Sequence, residues 1–429
     1  MKMVLTRVSR LKGEIVPPPD KSISHRAVMF ASLAEGTSVV RNFLRAEDPL
    51  STMRAFTMLG VDIREKGGSE VVITGRGTRG LKEPFDVINC GNSGTTVRLL
   101  SGILAGNPFF SALTGDDSLK QRPMARVITP LKEMGARISG RAESRYLPFA
   151  IQGGGLKAIT YAMPMSSAQV KSCLLLAGLY AEGETAVTEP YRSRDHTERM
   201  LAAMGASITV DRLTIRITGG SSLGAVEVTI PADFSSAAFF IAAALLVPGS
   251  EVVVKNVGMN PTRSGLLDII KKMGASVEVF NSREVSGEPV ADLACTTARS
   301  LKAVSIGKEA IPSLIDEFPI LCVLATRAEG VTEIRGAEEL RVKESDRIKA
   351  MATELKKLGV ELEEYPDGIA IQGKTALKGT TVESYGDHRI AMSMAVAALI
   401  ADGTMTINDA SCVDISFPGF FEQLKTLCR

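Results

Sequence analysis

The sequence predicts an α/β (α+β) protein of two similar domains, each holding three βαβαββ units around buried helices. Three observations predict it. One pattern recurs six times, opening at Asp20, Asn92, Ser167, Asp233, Asp316 and Asp387, 66 to 83 residues apart. The first helix of each copy is apolar on nearly every face, which suits burial among other helices. The chain of 429 residues exceeds what one hydrophobic core usually holds, so the six copies divide into two halves of three.

Within each copy a short strand comes first, at Leu11-Lys12-Gly13, Leu81-Lys82-Glu83, Leu156-Lys157-Ala158, Leu223-Gly224-Ala225, Leu301-Lys302-Ala303 and Leu377-Lys378-Gly379. The buried helix follows, as in "DKSISHRAVMFASLAEG" or "DFSSAAFFIAAALLVPG": a small or acidic polar residue, an apolar run, then glycine. A β-branched stretch such as "TSVVRNF" or "SEVVVKNV" forms the next strand. A second, amphipathic helix then stops in five copies on Gly60, Gly135, Gly205, Gly274 and Gly359, the residue type that takes a left-handed conformation without strain. Two strands close the unit, as in "VDIREKGGSEVVITG". Their alternation of polar and apolar residues argues against a doubly wound parallel sheet.

Composition excludes several classes of function. A net charge of +2 disfavours a dedicated nucleic-acid or membrane-surface binder. The six cysteines form no CxxC pair and sit mostly in apolar runs, and with three histidines they supply no clustered metal site, so none is expected. "MKMVLTRVSRLKG" lacks the apolar stretch of a signal peptide, and "AAFFIAAALLVPG" is too short to span a bilayer. A cytoplasmic monomer without membrane or nucleic-acid partners is the expectation.

The candidate chemistry sits at the helix entrances. If the buried helices point their N-termini one way, their opening residues face one cleft, and helix N-termini favour anions. Asp20 or Ser22 can cap the first helix, but a cap needs neither Lys21 nor Arg26. Arginine near a helix N-terminus is disfavoured by about 0.3–1 kcal/mol, so Arg26 and Arg389 point to an anionic partner. Arg122 stands before Pro123, which can open the next helix; Arg341, Lys343, Glu344, Asp346 and Arg347 crowd another helix start, and Arg192 and Arg194 a third. Lys343 and Arg347 have the i,i+4 spacing at which like charges repel unless something negative lies between them. Among these cations Asp316 and Glu344 read as proton-transfer groups. There is no P-loop, dinucleotide fingerprint or nucleophile elbow.

The motifs "PDKSISHRA", "CGNSGTTVRLL", "LTGDDSLKQRPM", "PMSSAQVKSCLLLAGL", "SRDHTERML", "IDEFPIL", "ELRVKESDR", "YGDHRIAMS" and "SFPGF" run along essentially the whole chain. Together they resemble the 5-enolpyruvylshikimate-3-phosphate synthase family of enolpyruvyl transferases. The resemblance implies an inside-out α/β barrel in each domain, residues 1–18 with 232–429 forming one domain and 19–231 the other, with the active site in the cleft between them. It implies transfer of the enolpyruvyl group of phosphoenolpyruvate to the 5-hydroxyl of shikimate 3-phosphate, in the shikimate pathway, without metal or organic cofactor. It assigns Lys21, Ser22, Arg26, Ser167, Gln169, Arg194, Asp316 and Lys343 to shikimate 3-phosphate, and Lys21, Gly94, Arg122, Gln169, Arg347 and Arg389 to phosphoenolpyruvate. Asp316 resembles the base for the 5-hydroxyl, Glu344 a proton shuttle, and Lys21 a further catalytic group. Gly94 leaves room beside phosphoenolpyruvate, which implies sensitivity to glyphosate, the family's competitive inhibitor.

Two positions depart from the pattern. Ile415 stands where many members carry a lysine, and Glu339 where some carry asparagine. The nearest rival is the enolpyruvyl transferase acting on UDP-N-acetylglucosamine, which carries a lysine–asparagine pair at the first helix and a reactive loop cysteine. A non-catalytic binder of phosphorylated metabolites is the other, and Asp316 and Glu344 speak against it. Several cations brought together without ligand repel, so the empty protein is expected to be open.

Overall fold

The computed structural model describes residues 1–429. The chain divides into two compact units: Met1–Pro18 with Pro231–Glu284 and Glu288–Arg429, and Pro19–Ile230 with Val285–Gly287. Each has a mixed α/β architecture and its own hydrophobic core.

The six buried helices are Lys21–Leu33, Gly94–Gly106, Ala168–Gly178, Phe234–Leu246, Phe318–Ala325 and His388–Ala398. Every residue of Phe234–Leu246, Phe318–Ala325 and His388–Ala398 is buried, as an all-round apolar helix requires. The amphipathic helices Glu47–Met58, Ala125–Glu133, His196–Ala203, Gly265–Lys272 and Arg347–Lys357 bury one face only. Each is stopped by the glycine the sequence marks, with φ of +83°, +99°, +92°, +86° and +89° at Gly60, Gly135, Gly205, Gly274 and Gly359.

The sheets repeat one plan. In the second unit Ile88–Asn89 runs parallel to Phe110–Thr114, which pairs antiparallel with Phe149–Gln152, and that strand with Arg137–Gly140. The sheets around Glu184–Thr188 and Val331–Ile334 follow the same order. Two lead-in strands trade places. Lys12–Ile15, which precedes the first buried helix, pairs with Glu251–Gly258 of the fourth copy, whereas Leu223–Gly224 and Glu227–Thr229 pair with Ala34–Arg41 of the first. The sixth copy lacks closing strands of its own, and the N-terminal strand Met3–Thr6 takes their place against Thr404–Asn408.

Three local expectations need correction. Leu81–Glu83 is irregular, and the lead-in strand there is Ile88–Asn89. At Lys157 and Lys378 the expected lead-in strands shrink to single bridges. The helix after Pro123 starts at Ala125, with Met124 as its N-cap residue.

Candidate active site

Eight of the predicted site residues lie in the unit built on Pro19–Ile230 and five in the other. In the first, Asp20 rather than Ser22 caps the Lys21–Leu33 helix, its Oδ1 accepting the Ile23 N–H at 2.8 Å. That leaves the Lys21 and Ser22 side chains half-buried at the helix entrance. Lys21 Nζ lies 3.2 Å from Asp48 Oδ2. Arg26 is buried in the second turn, and its guanidinium donates to Thr197 Oγ1 at 2.8 Å, Ser172 Oγ at 2.9 Å and Ser22 O at 3.0 Å. Burial, with Lys21 and Arg26 beside it, holds the His25 imidazole well below its usual pKa and therefore neutral. His25 Nδ1 joins Thr52 Oγ1 at 2.7 Å, Thr52 joins Thr96 at 2.7 Å, and Thr96 Oγ1 reaches Ser93 Oγ at 2.7 Å. This hydroxyl chain ties the entrance of the first buried helix to that of the second.

Ser93, not Asn92, caps the second buried helix. Asn92 Oδ1 instead accepts from Arg122 Nη2 at 2.6 Å, and Arg122 is buried. Gly94 opens the helix, and a Cβ there would stand 2.7 Å from Arg98 Nη1 and 3.5 Å from Arg122 Nη1. Arg98 Nη1 donates to Gln169 Oε1 at 2.6 Å, and Gln169 Nε2 donates to Thr95 Oγ1 at 3.0 Å. Gly94, Arg98, Arg122 and Gln169 thus form one cluster. Arg98 is the member that sequence reasoning missed. The available signal was the one that exposed Arg26: an arginine early in an otherwise apolar helix. Ser167 caps the third buried helix, and Arg194 stands half-buried in the turn before His196–Ala203.

In the other unit, Asp316 caps nothing. The fifth buried helix starts at Phe318 with Pro319 in its first turn, and Glu317 at its N-cap makes no side-chain capping bond. Asp316 Oδ1 lies 3.3 Å from Arg347 Nη1 and Oδ2 lies 3.6 Å from Arg389 Nη2. Arg389 Nη1 also donates to Asp316 O at 3.1 Å. Arg347, only 1% exposed, donates through Nε to Asp387 Oδ2 at 2.8 Å and through Nη2 to Glu344 Oε2 at 2.7 Å. Burial opposes the guanidinium's charge, but Asp387, Glu344 and Asp316 outweigh it and raise its pKa. Asp387 also caps the sixth buried helix through the Arg389 N–H at 2.9 Å. Lys343 Nζ meets Glu339 Oε1 at 2.8 Å. Carboxylates therefore do lie among the like charges of this segment. At the other departure, Ile415 is a partly buried apolar residue packed on the core and offers no cation.

The thiols are poor nucleophiles. Burial pushes those of Cys90, Cys173, Cys295 and Cys412 up to about 12. No helix is long and apolar enough to cross a membrane.

Buried helices that open on lysine, arginine and hydroxyls in one unit, and on arginines paired with carboxylates in the other, define the class: an α/β protein with charged, hydrogen-bonded helix entrances. A family model described as EPSP synthase (3-phosphoshikimate 1-carboxyvinyltransferase) matches residues 5–424. The chain is 56% identical over 428 residues to the 3-phosphoshikimate 1-carboxyvinyltransferase of Thermodesulfovibrio yellowstonii, covering 100% of both chains. It is 54% identical over 415 residues to that of Geotalea uraniireducens, covering 97% of this chain and 96% of the relative. A solved EPSP synthase from Acinetobacter baumannii matches with a TM-score of 0.87 and 46% identity, over 100% of this chain and 98% of that one. The chain belongs to the EPSP synthase family.

Proposed function

We propose that this chain transfers the enolpyruvyl group of phosphoenolpyruvate to the 5-hydroxyl of shikimate 3-phosphate and releases phosphate. The observation that carries the mechanism is the pair Asp316 and Glu344, both held by the buried Arg347 with Arg389 alongside. Asp316 accepts the 5-hydroxyl proton as that oxygen bonds to C2 of phosphoenolpyruvate, while Glu344, with Lys21, delivers a proton to C3. The tetrahedral intermediate then loses phosphate from C2 and a proton from C3, which restores the double bond. Lys21, Ser22, Arg26, Ser167, Gln169, Arg194 and Lys343 hold shikimate 3-phosphate; Lys21, Gly94, Arg122, Gln169, Arg347 and Arg389 hold phosphoenolpyruvate. The forked guanidinium suits carboxylate and phosphate oxygens, which fits the three arginines of the phosphoenolpyruvate set and the two of the shikimate 3-phosphate set. The buried, high-pKa thiols do not fit the reactive cysteine of the UDP-N-acetylglucosamine transferase. A cytoplasmic monomer belongs to the same reading.

The mechanism passes C3 through a methyl group, so turnover in D2O is expected to place deuterium in the vinyl CH2 of the product. A product free of deuterium by mass spectrometry contradicts the addition–elimination route.

Gly94→Ala is expected to raise the inhibition constant of glyphosate against phosphoenolpyruvate by about tenfold or more, because the new methyl displaces Arg98 and with it Gln169. Inhibition assays that return the wild-type constant count against this placement of phosphoenolpyruvate.

A further inference from the structure

Lys171 lies in the third buried helix, four residues after Ser167 and two after Gln169, with a side chain only 1% exposed. Its neighbours Val170, Cys173 and Leu174 are apolar and buried, and a site that needed only filling would take such a residue. A buried lysine is costly unless it is paired, and here every named contact converges on residues 189–198. Nζ lies 3.0 Å from Glu189 Oε1, 2.7 Å from Glu198 Oε1 and 3.3 Å from Ser193 O. Glu189 in turn accepts the Ser193 N–H at 3.1 Å and the Ser193 hydroxyl at 2.5 Å. The residue immediately before Arg194 is therefore gripped at its N–H, its hydroxyl and its carbonyl. Ser166, just ahead of the same helix, grips Tyr191 by both N–H and C=O, at 3.0 and 2.7 Å. A cavity of about 280 Å³ is lined by Lys171, Glu189, Arg192, Asp195, Glu198 and Ile208, among others.

We propose that Lys171 is a positioning residue for the phosphate of shikimate 3-phosphate: through Glu189 and Ser193 it sets where the Arg194 guanidinium stands. This rests on the reading that Arg194 contacts that phosphate.

A double-mutant cycle of Lys171→Met with Arg194→Ala, read as the Kd of shikimate 3-phosphate by calorimetry on the full chain, tests it. Lys171→Met is expected to weaken binding about tenfold in the parent and to add almost nothing once Arg194 is alanine. The KM for phosphoenolpyruvate is expected to stay within about twofold, which a general loss of structure would not allow. Because removing a buried cation endangers the fold, the same cycle is run with Ser193→Ala, which removes only the hydroxyl bond to Glu189 and carries the same expected pattern with a smaller loss. Equal losses in both backgrounds, or no loss in the parent, overturn the inference. If Arg194→Ala alone leaves the Kd unchanged, the phosphate assignment of Arg194 fails first and the inference with it.

Discussion

Asp316→Asn is expected to lower kcat by about 10²- to 10⁴-fold, with a far smaller change in the KM for shikimate 3-phosphate. Asparagine keeps the shape of the side chain but cannot accept the proton of the 5-hydroxyl. The substitution spares the fold because Asp316 supports no helix: the Phe318–Ala325 helix begins without a side-chain cap. It also spares the cations. Arg347 keeps Asp387 and Glu344, and Arg389 keeps the main-chain oxygen of residue 316. The loss therefore reports proton transfer. Steady-state assays that leave the variant within tenfold of the parent kcat contradict the assignment of Asp316 as the base.

Arg347→Met is expected to damage both stability and turnover. The side chain is 1% exposed, and its three nitrogens reach three different carboxylates. Removing it leaves Asp387, Glu344 and Asp316 facing one another without their shared counter-charge. Breaking a buried pair from one side costs about 3–5 kcal/mol, which a lowered urea midpoint reads directly. Asp387 would still cap the His388–Ala398 helix, but it is fully buried and loses this counter-charge together with the two proposed acid–base groups. Arg347→Lys should recover only part of the loss, because one ammonium cannot reproduce a fork that meets three acceptors in fixed directions. An unfolding midpoint for Arg347→Met equal to that of the parent removes this network from the account.

Much of the fold was legible because its punctuation is local. A cap such as Asp20 or Ser167 and a stop such as Gly60 or Gly359 act within a few residues of where they stand, so six copies could be counted from the chain alone. Long-range pairing was not legible in this way. Nothing within Lys12–Ile15 says that its partner is Glu251–Gly258, because a strand of four residues carries one face pattern and no address. Local rules also read a lead-in strand at Leu81–Glu83, which is irregular. For the candidate site, misplaced charge was the useful signal: Arg26 and Arg389 stood out because helix N-termini disfavour cations. The partners of those cations were hidden. Arg347 meets Asp387 across 40 residues of sequence, and Arg98 meets Gln169 across 71.

The most direct test of the account is phosphate release from phosphoenolpyruvate by the purified full chain, with shikimate 3-phosphate or UDP-N-acetylglucosamine as the acceptor. Release is expected with shikimate 3-phosphate alone, in step with formation of its enolpyruvyl ether. Release with only the UDP-sugar, or with neither acceptor, would contradict the proposed function.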